Sequence, residues 1–439
     1  MAKTPHTVRL RTYQVGFGDC FLLSFMYSGD DARHVLIDFG TTALPDCCSD
    51  GHMVRVAEDI RSVTGGKLTA VIATHRHQDH VSGFAGQRDG GGSGDIIRSL
   101  EPDLVVQPWT EDPKAARTSS GPVTAATADS ALVGALDHMH ALSELVLLEA
   151  GRPGADLRLG PQVRQQLSFL GQDNIQNRAA VENLMAMGKA GRAEYLYYGA
   201  KSALEGLLPG VKLRVLGPPT LRQYPKIKRQ RSRDEEQFWH LQALAGRAAA
   251  AEIGTPRLFP NAAVIEGKPA NTRWLVRRLQ DSSAQQLLSI VRALDRAMNN
   301  TSLILLFTVG ARRMLFPGDA QIENWLYALE EAPDAEVNRA ELAAVDVYKI
   351  GHHGSLNATP KSLWSLFFGS HHKRGPKSRQ PLSTVCSTMD GKHGHEASRT
   401  EVPRQTLVKE LEERSDYFTT QSLTSKGKIF RDFKWKVAG

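Results

Sequence analysis

The stretch THRHQDHVSGF, residues 74–84, sets three histidines and one aspartate within six consecutive positions. His75, His77, Asp79 and His80 offer imidazole nitrogens and a carboxylate, a donor set that suits a divalent metal where no cysteine lies nearby. Spaced at i, i+2, i+4 and i+5, the four cannot share one helix face or one strand face, so a loop must point them inward. His75 and His77 could ligate one cation while Asp79 and His80 reach a second. The plain alternative is a surface histidine cluster at the end of the apolar run LTAVIA.

Four ligands in one loop need partners, and three later segments supply candidates. RRMLFPGDAQIENW ends an apolar run at Gly318 and Asp319, where a carboxylate can bridge two cations or simply cap a helix. VYKIGHHGSLN ends another at His352 and His353, and STVCSTMDGKHGHE leads to His393 and His395.

The elements that must position these residues follow from periodicity. VRLRTYQV, DCFLLSFMY and HVLIDFG alternate or run apolar as strands do, MVRVAEDIRSV has helical spacing, and LTAVIATH is a buried strand leading into the histidine loop. Polar chemistry just past a strand end is where open α/β sheets place ligands. A glycine-rich loop, GQRDGGGSGD, follows. Residues 111–298 read as a largely helical elaboration, with local strand character in VKLRVLGPP. Strand signals return in SLILLFTVG, RRMLFPGD, VDVYKIGHHGS and STVCST, and GKIFRDFKWKV alternates as an edge strand would.

The bulk numbers set bounds. A chain of 439 residues, 41% hydrophobic and 23% charged, can bury a sizeable core. No run reaches the length of a membrane span and the first residues lack the apolar core of a secretory signal, so a soluble, cytoplasmic protein with no membrane association is expected. Cys20, Cys47, Cys48 and Cys386 are few and irregularly spaced, which fits a reducing compartment. A formal net charge of +7 favours acidic partners such as nucleic acid or a phosphorylated substrate.

Taken together, these segments resemble the metallo-β-lactamase superfamily of metal-dependent hydrolases, and within it the nuclease-like domain of ComEC-type competence proteins. QVGFGDCFLL resembles the VGxGD strand-turn, VLIDFG the aspartate-bearing strand, and THRHQDHVSGF is a full HxHxDH signature. MLFPGDA and YKIGHHGS resemble the later GD and HHGS motifs, and KHGHE the terminal GHP element, with Glu396 where proline is usual. The resemblance implies an α/β fold, a four-layer αββα sandwich forming one domain over residues 1–439, with its core in 7–110 and 299–437 and a helical insertion between. It implies His75 and His77 on a first metal, Asp79, His80 and His352 on a second, and Asp319 bridging. Asp38 and Asp19 are implied as groups supporting the ligands. Two divalent ions are expected, zinc ahead of manganese or iron. The wider superfamily completes its first metal site with another histidine. His138, His140 and His240 sit in helical patterns and supply none clearly, a departure that fits the ComEC-type branch, whose domains often lack it too.

Two such cations, about 3.5 to 4 Å apart, would hold a hydroxide at neutral pH and polarise a phosphoryl or carbonyl oxygen, so the metals alone do not choose the substrate. Asp79, His353 and His395 are the candidate catalytic groups, and His353, Ser355 and His395 the candidates for contacting substrate or protonating a leaving alkoxide. The basic segments PKIKRQRSR and HHKRGPKSRQ tilt the choice toward a phosphodiester, unless they are merely solvated loops. The leading expectation is a phosphodiesterase or nuclease acting on nucleic acid. Alternatives are a small-molecule ester, lactone, cyclic-nucleotide or phosphorylcholine hydrolase, with the helical region as a lid, or a binding subunit of a multiprotein assembly, docking through that region. The resemblance implies varied bacterial roles, including uptake of or defence against foreign nucleic acid, and nothing in the sequence selects one. No GxSxG elbow supports a serine hydrolase, and GGGSG lacks the GK[ST] of a P-loop.

Overall fold

The computed structural model describes residues 4–29, 31–46, 48, 51–112, 114, 177–228, 298–368, 381–392, 401–424 and 428–437. Among these described residues, thirteen strands form two sheets. In the first, β1 (Thr7–Tyr13), β2 (Cys20–Met26) and β3 (Ala32–Phe39) make an antiparallel meander. β4 (Ala70–Ile72), β5 (Leu104–Pro108) and β6 (Ala193–Leu196) then add in parallel. The second repeats the plan: β7 (Val211–Gly217), β8 (Ile304–Val309) and β9 (Arg312–Phe316) are antiparallel. β10 (Val347–Lys349), β11 (Ser383–Cys386) and β12 (Asp416–Thr419) follow in parallel. β13 (Phe430–Lys436) pairs with β1 at the edge of the first sheet, as its alternating sequence requires.

Two-residue periodicity assigns each face of these sheets. Phe21, Leu23 and Phe25 of β2 face Leu305, Phe307 and Val309 of β8 across the inter-sheet core. Cys20 and Leu22 point the other way, onto α1 (His52–Val63) and α3 (Ser93–Ser99). Val56, Ala57 and Ile60 are the buried stripe of α1, at the spacing one helix face gives. On the outer face of the second sheet, Ile304 and Leu306 meet Trp325, Trp364, Leu407 and Leu411. The result is a four-layer α/β sandwich, helices outside and sheets within. Truncating a fully buried ring such as Phe307 between the sheets would cost about 3–5 kcal/mol.

The segment expected to be a helical insertion contributes to both sheets. β6 closes one edge of the first, beside the helix Arg178–Ala190, and β7 closes one edge of the second. The other expected helices, with His138, His140 and His240, lie outside the described residues. Among the described residues no helix is long and apolar enough to cross a membrane.

Parallel strands share a direction, so their C-terminal ends lie along one rim. β3, β4, β9, β10 and β11 end there at Phe39, Ile72, Phe316, Lys349 and Cys386, and the next residues of each build the site.

Candidate metal centre

The loop after β4 turns sharply into α2 (Gln78–Val81), so Asp79 and His80 occupy a first helical turn while His75 and His77 precede it. The turn is pressed against the first sheet: the amide of Asp19 donates to the carbonyl of Asp79 at 2.9 Å. Gly40 leaves room for it, because a Cβ there would sit 2.5 Å from the backbone of Asp79 and His80. From the second sheet, Gly318 takes φ +53°, and a Cβ on it would lie 2.9 Å from Thr74, which explains the glycine before Asp319. The amide of Asp319 donates to Ser302 Oγ at 3.2 Å.

Asp38 fixes the orientation of His80. It takes φ 55°, and its Oδ1 accepts from the Thr74 amide at 2.7 Å. Oδ2 accepts from Thr74 Oγ and from His80 Nδ1, both at 2.8 Å. An ionised carboxylate only accepts, so Nδ1 carries a proton, and in the neutral, metal-binding form of the ring Nε2 presents its lone pair. That Nε2 lies 3.2 Å from Asp319 Oδ2 and 3.9 Å from Asp79 Oδ1. His353 is held from the same side, and its Nδ1 donates to the carbonyl of Ser387 at 2.8 Å; unlike that of His80, its Nε2 makes a hydrogen bond, to Asp79 Oδ2 at 2.9 Å, and lies 3.8 Å from Asp319 Oδ2. Phe17, from the turn between β1 and β2, covers the ring at a centroid distance of 4.5 Å.

One ligand atom from each of Asp79, His80, Asp319 and His353 lies within 4.8 Å of all the others, and all four residues are buried. Asp79 Oδ1, His80 Nε2 and Asp319 Oδ2 have no hydrogen-bond partner. Buried polar atoms are seldom left so, because each costs about 1–3 kcal/mol. Unpartnered atoms of a carboxylate, an imidazole and a second carboxylate, converging within ligand reach, fit a divalent cation. A second grouping, Asp19, Asp38 and His80, does not, since the bond from His80 Nδ1 to Asp38 and the ion pair of Asp19 with Lys349 already occupy it.

The electrostatics of the cluster follow from burial and mutual charge. Burial opposes ionisation of Asp79 and Asp319, yet His80 beside both, joined by His353 at Asp79 and by His352, Lys349 and His353 at Asp319, holds their pKa below the usual carboxylate range. Burial likewise opposes charge on His80 and His353, but Asp319 and the other carboxylates outweigh it and raise both. For Asp38 burial wins over His80, and its pKa rises. His75 goes the other way: burial, with the imidazoles of His80 and His77 nearby, holds it well below its ordinary value and keeps it neutral. A neutral imidazole is the form that binds metal.

His75 Nε2 and His77 Nδ1 bond to each other at 2.9 Å, and the His75 ring lies tilted against that of His80, with centroids 4.2 Å apart. The pair therefore adjoins the quartet, and neither joins it. His352 was expected as the ligand with His353 toward substrate; the structure brings the His353 imidazole into the quartet and sets His352 beside it. Both residues are left-handed, at φ 43° and 51°, and this sharp turn buries His353 while leaving the His352 side chain 18% exposed. His352 Nε2 stands 3.9 Å from Asp319 Oδ2, and its Nδ1 bonds Ser355 Oγ at 2.8 Å. Two adjacent residues in this region cost on the order of 1–3 kcal/mol each, an expense concentrated at functional sites. His393 and His395 lie outside the described residues, as do residues 229–233 of the first basic segment and all of 371–380.

Lys349 escaped the sequence reading. It is the last residue of β10, its side chain 2% exposed, with Nζ 2.5 Å from Asp19 Oδ2 and 3.5 Å from Asp319 Oδ1. A lysine inside the buried run VDVYKIG was the available signal, since lysine is almost never fully buried unless paired.

Residues 13–104 match the sequence model of the Metallo-beta-lactamase superfamily. That span carries Asp19, Asp38 and the whole HxHxDH loop, and the two-sheet sandwich around it is the α/β architecture of that superfamily. The match suggests a metal-dependent hydrolase, and the His/Asp cluster is compatible with divalent metal binding. No curated protein matches the chain.

Proposed function

We propose that the protein is a metal-dependent phosphodiesterase, with nucleic acid as its substrate, in which Asp79, His80, Asp319 and His353 hold one divalent cation and His75 and His77 contribute to a second. The observation that carries the metal reading is the convergence of unpartnered Asp79 Oδ1, His80 Nε2 and Asp319 Oδ2 beside His353. Nitrogen and carboxylate donors suit zinc, with manganese or iron as alternatives. When bound, such cations supply Lewis acidity toward a phosphoryl oxygen and lower the pKa of a water.

The chain's own residues supply orientation and proton handling. Asp38 and the Ser387 carbonyl each fix one imidazole tautomer, so His80 and His353 face inward preset. His352, partly exposed and anchored by Ser355, is placed to give a proton to a leaving alkoxide. Support for a phosphodiester comes from the net charge of +7 and from the resemblance of VGFGD and GHHGS to the ComEC-type branch.

The test is a substrate panel on one metal-loaded preparation: single- and double-stranded DNA, RNA, bis(p-nitrophenyl) phosphate, and ester and lactone substrates. Phosphodiester cleavage that disappears in Asp79→Asn is expected. Cleavage of esters or lactones with no phosphodiester turnover would overturn the substrate class.

A further inference from the structure

Lys349 sits beneath the quartet and touches both halves of the fold. Its ammonium pairs with Asp19, from the turn between β1 and β2 of the first sheet, and with Asp319, after β9 of the second. It also donates to the Gly318 carbonyl at 3.1 Å, so it grips the turn that presents Asp319 as well as the carboxylate. Asp19 itself lies against the inner nitrogens of both site imidazoles, 3.6 Å from His80 Nδ1 and 3.7 Å from His353 Nδ1.

The two oxygens of Asp319 are thereby made unequal. Oδ1 faces the Lys349 ammonium and accepts the amide of His352 at 3.1 Å. Oδ2 has no hydrogen-bond partner and faces His80 Nε2 at 3.2 Å and His353 Nε2 at 3.8 Å. A carboxylate free to turn could chelate a cation through both oxygens, whereas one held at Oδ1 by a cation and an amide offers a single oxygen. A buried lysine that served only to neutralise charge would need one carboxylate. This one is shared between two, and one of them belongs to the quartet.

We propose that Lys349 is a positioning residue of the metal centre: clamped between Asp19 and Asp319, its ammonium occupies Oδ1 of Asp319, so that this carboxylate meets a cation through Oδ2 alone. The inference rests on the reading of the quartet as a metal site. It adds a role for Lys349 and Asp19 that the ligands do not require.

The test compares the full-length wild type with the double variant Lys349→Met/Asp19→Asn, which removes the buried pair together and so avoids leaving one charge unpaired. Both are loaded with cobalt(II), and visible spectrum, stoichiometry and affinity are read, with circular dichroism and melting as controls for folding. The wild type should bind cobalt with a spectrum of low coordination number. The folded variant should bind about 10–100-fold more weakly, as loss of a ligand-supporting group does, with weaker d–d bands as Asp319 turns to chelate. A folded variant with wild-type affinity and spectrum would overturn the positioning role while leaving the metal reading intact. A wild type that binds no divalent cation would instead overturn the metal reading, and this inference with it. Should the variant fail to fold, a crystal structure of the metal-loaded wild type decides: Asp319 bound through Oδ2 with Oδ1 against Lys349 supports the proposal, and Oδ1 on the cation refutes it.

Discussion

Replacing Asp38 with asparagine isolates one atom's contribution to the site. Asparagine has the same shape and tolerates the left-handed backbone at φ 55°, so the local fold is kept. Its amide oxygen can still accept from the Thr74 amide, as Oδ1 does at 2.7 Å. The amide NH2, however, now stands where Oδ2 accepts from Thr74 Oγ and His80 Nδ1 at 2.8 Å. Thr74 can rotate its hydroxyl to accept. His80 cannot keep a proton on Nδ1 against a donor, so the proton moves to Nε2, the atom that faces Asp319 and Asp79. An Nε2–H does not ligate, and restoring the lone pair means burying a mismatched donor pair. Loss of such a partner weakens metal binding about 10–100-fold, or roughly 1.4–2.7 kcal/mol. The metal-free protein should lose less, because the relocated proton can bond Asp319 Oδ2. The assay is zinc competition against a chromophoric chelator at neutral pH, with melting of the metal-free protein alongside. Zinc affinity within twofold of wild type would refute the tautomer argument.

Two further outcomes follow from the same geometry. His34, 6% exposed with its Nδ1 2.9 Å from Ser24 Oγ, is pushed down to about 4 by burial and by Arg9. Its folded pKa lies below the unfolded value near 6.5, so the unfolded chain takes up a proton that the folded one refuses. Stability is unaffected above that value and falls as pH drops from 6.5 toward 4, by at most about 3 kcal/mol. His34→Gln should flatten this limb of a urea-midpoint profile, and parallel profiles would contradict it. Gly40→Ala puts a Cβ 2.5 Å from the backbone of Asp79 and His80, so both stability, by about 1–3 kcal/mol, and zinc affinity should fall. Unchanged melting would show that the turn does not depend on that close approach.

Much of this architecture could be read from the chain because the signals were local. Alternation in CFLLSFM and ILLFTV fixes which side chains meet between the sheets, and the edge strand FRDFKWK declares itself by its alternating lysines and aromatics. β6 hid because AEYL is four residues long at a sheet edge, too short for period two to stand out. At the site, loop residues with metal-competent side chains were visible as a cluster, and their division of labour was not. Whether His352 or His353 faces inward depends on two successive left-handed residues, a feature of the turn after β10 that no spacing encodes. The role of Lys349 depends on Asp19, which lies more than three hundred positions away in sequence and meets it only when the sheets pack.

The proposed primary divalent-cation site is built by Asp79, His80, Asp319 and His353 together. The most direct measurement is calorimetric titration of zinc into metal-stripped protein, comparing wild type, Asp79→Asn/His353→Ala and His352→Ala. Saturable binding in the wild type, retained within about tenfold in His352→Ala and at least about 100-fold weaker in the double variant, is the predicted result. Equal affinity in wild type and the folded double variant, or loss of binding with His352→Ala alone, would contradict it.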